Sequence, residues 1–342
     1  MPTPRVAVII VSYNGLPIVQ KCLPTVVQTN WENLQIIFVD NQSSDQSVEW
    51  VTENFPKIKV IQHPQNWLFS RANNEVIRAI EADYVVLLNN DVAVSEDWLT
   101  TLVKYAEKFP KVGALQPKIL QFHQRDHFEY AGACGGFLDQ LGYPFARGRI
   151  FEHTEKDCGQ YDQPMYIDWA SGASMLLRCS ALKDVGLLDE HFGLHMEEID
   201  LCWRLRRAGY DIGVEPNSKV YHIGGATLSR NSSRKLYYNI RNSLLMLYKN
   251  LPRGHFRRVF FQRMIIDHCA ALAWFLSGKW HHARSVIQGY LDAHKLRHHY
   301  QPPGTTEAST SYRGRILIDY LLFRRKLFSD LPQSKFSRSI ST

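Results

Sequence analysis

The chain has 342 residues, 45% apolar and 12% aromatic, enough to bury a large α/β core, which excludes disorder as its main state. Its net charge of +7 hides a split: residues 1–225 hold 20 Lys/Arg against 28 Asp/Glu, whereas residues 226–342 hold 20 against 5. An acidic body with a basic tail points to chemistry in the first part and attachment to something anionic in the second.

The start, MPTPRVAVIIVSYN, carries a short apolar run behind a Pro and lacks the pattern of a signal peptide. Val6 to Val11 reads as a buried parallel strand that ends at Ser12, Tyr13, Asn14 and Gly15. A helical pattern covers 18–28, and a second buried strand, Gln35 to Val39, ends in Asp40. The polar loop DNQSSD leads to a helix at Ser47 to Asn54. A strand at Lys59 to Gln62 and a helix at Ser70 to Glu81 follow. The fourth strand, Tyr84 to Leu88, runs into Asn89, Asn90 and Asp91. This alternation predicts an α/β fold with a mainly parallel central sheet flanked by helices. Ligands bind beyond the carboxyl ends of such strands, where Ser12 to Asn14, Asp40 to Asp45 and Asn89 to Asp91 all fall.

From 110 to 190 the pattern is irregular, with a strand-like segment at Ala173 to Arg178. A helix starts near Glu197 and stops at Gly209; strand-like segments at Asp211 to Val214 and Lys219 to His222 close the body at Gly224 and Gly225. The rest reads as basic helices, with a joint at Gln301 to Ser311 and a loose last dozen residues. No stretch reaches the roughly 20 apolar residues that span a bilayer; Cys269 to Leu276 comes nearest. The six cysteines have no Cys-x-x-Cys spacing and read as free thiols. These features together predict a cytoplasmic protein, peripheral at most on the cytoplasmic face of the inner membrane.

Several side chains are candidates for chemistry, each with a plainer alternative. Asp91, just past a buried strand, either holds a divalent cation against a diphosphate or closes an Asx turn ahead of a helix near Glu96. Asp40 either accepts from a ribose hydroxyl or base N–H, or turns its own loop. Glu197, Glu198 and Asp200 either suit the positive end of a helix, the commonest reason for such a cluster, or include a general base. His222 is a structural histidine or a ligand, with Gly224 and Gly225 allowing close backbone approach. Trp169 lines an acceptor cleft together with Glu197, or belongs to the core. In the tail, Arg257, Arg258, Arg263, Lys279, Arg284, Lys295 and Arg297 interleave with Phe256, Phe260, Phe261, Trp274, Phe275 and Trp280. That suits helices on an anionic bilayer, or a subdomain packing its aromatics on the body. No nucleic-acid motif accompanies the charge, so nucleic acid is not an expected partner.

The segments VAVIIVSYNG, IIFVDNQSSDQS, LLNNDVAVSEDWL, DWASGASMLLR, GLLDEHF, EEIDLCWRLRRAGY and VYHIGGATL resemble, in order and spacing, the family 2 glycosyltransferases of GT-A fold, particularly bacterial rhamnosyltransferase-like members. The resemblance covers roughly residues 5 to 245. It implies a GT-A catalytic domain at 1–225, with a nucleotide-binding half to about 110 and an acceptor half from 111, followed by a basic helical extension at 226–342. It further implies that Asn89-Asn90-Asp91 stands at the DxD-type motif, with Asp91 on Mg2+ or Mn2+ and His222 completing the metal site. Asp40 contacts the nucleoside, and Glu198 is the catalytic base. QNWLFSRANN supplies Asn66, Arg71 and Asn74 as donor contacts, although Leu68 stands where the family usually has Gly. The implied reaction inverts configuration while moving a sugar, rhamnose from dTDP-rhamnose as the first candidate, to a glycan or lipid-linked acceptor in cell-surface polysaccharide synthesis. A nucleotidyltransferase would need a cation near the first strand that SYNGLP lacks; a non-catalytic glycan-binding scaffold would not need Asp40, Asp91 and Glu198 together.

Overall fold

The computed structural model describes residues 2–224, 232–304 and 310–337. Four apolar runs form strands β1 (Val6–Ser12), β2 (Leu34–Asp40), β3 (Lys59–Gln62) and β4 (Tyr84–Asn89). Helices α1 (Leu16–Val27), α2 (Ser47–Asn54) and α3 (Leu68–Arg78) return the chain between them, so the strands pair in parallel in the order β3-β2-β1-β4. Ser12 lies opposite Asp40 in this register, which brings the two polar strand ends side by side.

The chain continues through β5 (Val92–Val94), α4 (Trp98–Lys108) and β6 (Val112–Gln121). A small separate sheet follows, made of β7 (Gly136–Leu138), β8 (Pro144–Ala146), β9 (Arg149–Ile150) and β10 (His153–Thr154). Then come β11 (Met165–Tyr166), β12 (Ser174–Arg178), α5 (Cys179–Val185), α6 (Glu197–Arg207) and β13 (Asp211–His222). The main sheet has nine strands in the order β11-β13-β6-β12-β4-β1-β2-β3, with β5 on β13. Only β5, β11 and β12 run against the rest, so the sheet is mostly parallel.

Two strands differ from the sequence expectation. The central strand β6 was hidden because Gln116, Pro117 and Lys118 interrupt its apolar run. The buried Lys118 ammonium is held by Asp157 at 2.8 Å and by Asp162, so its charge enters the body as part of an ion-pair cluster. Instead of two strands at 211–214 and 219–222 there is one, β13, with a register shift between Glu215 and Lys219. β12 enters antiparallel between β4 and β6, and this brings the turn before it to the end of β4: Asn89 N–H donates to Ala173 O at 3.0 Å.

Beyond the body lie α7 (Ser233–Asn250), α8 (Arg253–Leu276), α9 (Trp280–Leu296) and α10 (Ile316–Leu321). Their buried Leu244, Leu247 and Val286 join the same apolar cluster as Phe137 and Phe145 of the body. The expected mixed fate of the tail aromatics is resolved residue by residue: Phe256, Phe260 and Trp274 lean inward, while Phe261, Phe275 and Trp280 stay exposed. Arg263 is not the outward cation expected. It is buried against Asp267 at 3.2 Å, and Asp267 also accepts from the Tyr143 and Tyr290 hydroxyls at 2.7 and 2.9 Å. The expectation that no stretch is long and apolar enough to cross a membrane needs correction for α8. Its 24 residues contain an 18-residue window of mean hydropathy 1.3 that admits this ion pair. The chain end is firmer than expected, with Phe336 packed on Tyr312 at 4.8 Å; Gly225 to Leu228, part of the expected joint and residues 338–342 fall outside the described residues.

Candidate active site

The ends of β1, β2 and β4 are locked together by their own polar side chains. Asn90 Nδ2 donates to Ser12 Oγ at 2.9 Å and lies so close over Gly15 that a Cβ there would stand 2.5 Å from it. Glycine is the residue that lets this amide cover the start of α1. Asn14 accepts from Ser44 N–H at 2.7 Å and takes Ser43 Oγ on its own N–H at 2.9 Å, tying the loop after β1 to the loop after β2. Tyr13 remains half exposed at the rim. Asp40 turns its loop as the plainer alternative foresaw, accepting from Ser43 N–H at 3.1 Å. One amide leaves carboxylate lone pairs free, so the turn does not consume Asp40 as an acceptor.

Asp91 follows β4 and is buried beside the end of β13. His222 Nε2 is 3.0 Å from Asp91 Oδ1, and His222 Nδ1 is 3.0 Å from Glu129 Oε2. Burial alone would depress the imidazolium, but the flanking Asp91 and Glu129 carboxylates outweigh it and push its pKa up to about 10. Burial likewise works against ionised Glu129, yet His222 holds it below the usual carboxylate range. Gly224 makes room for this arrangement, since a Cβ there would meet Glu129 Oε1 at 2.7 Å. Glu129 was not foreseen. It lies in an irregular stretch 93 residues from its histidine, and no local spacing announces it.

Asp91 and His222 fit a divalent cation on geometry and donor chemistry. A cation would displace the proton that His222 Nε2 and Asp91 Oδ1 now share across 3.0 Å, leaving an imidazole nitrogen and a carboxylate oxygen side by side. Glu129 would then take the Nδ1 proton and leave Nε2 free to ligate, the usual support for a metal-bound imidazole. Among the described residues no three His, Cys, Asp or Glu side chains form a closed cage, so such a cation would need further oxygens from a ligand.

Glu198, near the start of α6, lies by the turn that precedes β12. Its Cβ is 3.8 Å from where a Cβ on Gly172 would lie, and the next residue, Ala173, receives the Asn89 N–H. Ser171, one residue earlier, donates through Oγ to Ala131 O, and Ala131 N–H donates to Glu129. Hydrogen bonds thus tie the 171–173 turn beside Glu198 to the end of β4 and, through Ala131, to Glu129 and His222. Among the described residues neither Glu197 Oε2 nor Glu198 Oε2 has a hydrogen-bond partner. Burial pushes the Glu198 carboxyl up to about 7, with the N–H groups at the start of α6 pulling the other way. Burial and the neighbouring Glu198 raise Glu197 well above its usual range. Asp200, the third acid, is structural: it pairs with Arg204 and Lys249, each at 2.8 Å.

The corner that aims these acids is strained. His195 and Met196 take φ of 66° and 71°, two consecutive left-handed residues without glycine. Asn242 of α7 holds the corner from behind, its Nδ2 within 3.0 Å of Phe192, Leu194 and His195 carbonyls.

The remaining candidates divide. Asn66 accepts from Leu68 N–H at 3.0 Å and from Asn41 Nδ2 at 2.9 Å, and Arg71 stacks on Trp67 at 4.2 Å; both shape the loop into α3. Asn74 does not face the cleft. Its amide clamps α3 to Leu188 and Glu190 with three bonds of 2.8–3.1 Å, satisfying its oxygen and both its protons. Trp169 is a core residue, its ring laid on Gly136 and its N–H donated to Phe137 O at 3.0 Å. Leu68 has φ of 58°, the left-handed region that favours the glycine its family pattern carries there.

With this geometry in view, the chain belongs to glycosyl transferase family 2, whose sequence profile matches residues 7–182. It is 29% identical over 218 residues to the pre-mycofactocin glycosyltransferase of Mycobacterium tuberculosis, covering 61% of this chain and 42% of that protein. It is 24% identical over 259 residues to the N-acetylglucosaminyl-diphospho-decaprenol L-rhamnosyltransferase of the same organism, covering 70% and 83%. The chain thus spans less than half of the first relative and most of the second. Among solved structures, GalNAc-T7 with UDP, GalNAc and Mn2+ aligns with a TM-score of 0.57 at 14% identity, over 74% of this chain and 49% of that one. The mannosyltransferase PcManGT from Pyrobaculum calidifontis, in complex with GDP-Man and Mn2+, aligns with a TM-score of 0.52 at 15% identity, over 86% and 76%. The fold is the GT-A arrangement that the motif order implied.

Proposed function

We propose that this chain is an inverting glycosyltransferase in which residues 1–225 move a sugar from a nucleoside diphosphate sugar to an acceptor hydroxyl. The observation that carries the reading is Glu198: a buried carboxyl with one unpartnered oxygen, pushed by burial up to about 7, beside the Gly172 turn that joins the end of β4. A base matched to neutral pH is what deprotonation of an attacking hydroxyl requires. Asp40 and the half-exposed Tyr13 lie where the nucleoside would rest, Asp40 accepting from ribose or base and Tyr13 covering it from the rim. Ser12, Asn14, Asn89 and Asn90 hold those strand ends rigid through the bonds described above. Asn66 and Arg71 shape the donor side from the loop into α3.

Asp91 and His222 would hold Mg2+ or Mn2+, which when bound neutralises charge on the departing diphosphate. Glu198 takes the hydroxyl proton while the acceptor attacks from the face opposite the leaving group, so one displacement inverts the anomeric centre. Glu197, with its own unpartnered oxygen, lies next to that carboxyl and contributes to the acceptor side. The name of the rhamnosyltransferase relative supports a diphospho-lipid-linked acceptor and rhamnose as the sugar; our reading adds dTDP-rhamnose as the first donor to try and cell-surface polysaccharide synthesis at the cytoplasmic membrane face as the setting.

The test is a calorimetric screen of nucleoside diphosphate sugars with and without Mn2+, followed by turnover measurements. Asp91→Ala should lose the metal-dependent part of donor binding. Glu198→Gln should keep donor binding and lose turnover. Wild-type turnover by Glu198→Gln would end this assignment of the base.

A further inference from the structure

We propose that the α8–α9 hairpin and the segment after α10 form a docking surface for an anionic bilayer, with the helices lying on the membrane. α8 is apolar on both its faces. Toward the protein this helix packs Val259, Phe260 and Ala271 around the buried Arg263–Asp267 ion pair; toward solvent it shows Phe261, Ile265, Leu272, Phe275 and Leu276. The outer face of a helix that lies on a soluble protein is ordinarily polar. The apolar stripe spills over the hairpin turn to Trp280 and continues on α9 with Ile287 and Leu291. Leu276 at the tip is 76% exposed. A second apolar tip, Leu321 to Phe323, runs directly into Arg324, Arg325 and Lys326, and Arg315 at its base bonds Gln262 of α8.

The chemistry of the occupant follows from what surrounds the stripe. Exposed Arg257, Arg258, Lys279 and Arg284 border it, in a region with 20 Lys/Arg against 5 Asp/Glu. Aromatic and aliphatic side chains flanked by cations match the boundary of an anionic bilayer, where apolar burial and headgroup attraction add. A second copy would bring the same positive charge to the contact and be repelled. Spanning would pull Arg263 and Asp267 out of their partners Leu141 O, Ser243 Oγ and Tyr143 into lipid. The surface is also joined to the site. α9 packs on α7, where Tyr237 bonds Asp292 at 2.9 Å, and α7 holds the corner ahead of Glu197 through Asn242. A docked hairpin therefore fixes the cleft relative to the bilayer.

The experiment is co-sedimentation of the full chain with vesicles of phosphatidylcholine alone and of phosphatidylcholine with phosphatidylglycerol. Binding should be at least about tenfold tighter to the anionic vesicles and should weaken with salt. The exposed double variant Phe275→Ser with Leu276→Ser should bind about tenfold or more weakly, while its circular dichroism and thermal unfolding stay unchanged. Lys279→Glu should cost about fivefold or more. Three results overturn the proposal: no preference for anionic vesicles, unaltered binding by the double variant, or membrane retention that survives alkaline carbonate. A dimer in solution that the double variant dissociates, with no vesicle binding, would instead give the face to a second copy.

Discussion

His222 stands with Nε2 3.0 Å from Asp91 Oδ1, across 131 residues of sequence, and so joins the end of β13 to the end of β4. Its other nitrogen is turned to Glu129, which makes the carboxylate behind the histidine as consequential as the one in front of it.

Glu129→Ala removes the acceptor that fixes the imidazole tautomer. We expect affinity for a Mn2+–nucleoside diphosphate complex to fall by about 10- to 100-fold, with affinity for the metal-free nucleotide unchanged. Calorimetry with and without chelator separates the two, and an equal loss in both would assign Glu129 to the fold alone.

Turnover should rise as pH increases through about 7, because Glu198 accepts a proton only after losing its own. Glu198→Gln should lower kcat by about 10²- to 10⁴-fold and abolish that limb of the pH profile. A variant that retains the limb would place the titrating group elsewhere.

Stability should move the opposite way. A buried carboxyl with a raised pKa holds its proton more tightly when folded, so its contribution is complete below its usual 4.5 and lost as pH rises through about 7. Glu198→Gln, which cannot ionise, should therefore gain on wild type as pH rises over that window. Urea midpoints measured on both sides of the window check this.

Asn242→Ala leaves the carbonyls of Phe192, Leu194 and His195 without their shared donor. The cost should be about 2–3 kcal/mol in unfolding free energy, together with a lower kcat as the Glu198 corner loosens. Thermal unfolding and single-turnover rates report the two effects separately; a stability loss without a rate loss would make Asn242 purely structural.

The parallel half of the fold was legible because β1, β2 and β4 are continuous apolar runs ending abruptly in polar residues. That pattern also gave Asp40 and Asp91 their place at one sheet edge. β6 was illegible because Lys118 is satisfied by Asp157 and Asp162, partners about forty residues away that no periodicity reveals. The antiparallel entry of β12, which brings the Gly172–Ala173 turn to the end of β4, is a matter of topology and leaves no local trace. Trp169 and Asn74 were misplaced for a related reason: a motif fixes which residue recurs but not which way it points. Leu68 worked in the other direction, since a departure from the family pattern marked a backbone position whose φ of 58° the structure then supplied.

The paired left-handed residues His195 and Met196 have an implication for anyone hardening this protein against heat. Glycine at either position would relieve a steric cost of about 1–2 kcal/mol, and a stability screen would reward it. The same change would give the peptide ahead of Glu197 a wider choice of directions, so the acid would be presented less consistently. Endurance and aim compete at this corner, and selection for one alone would erode the other.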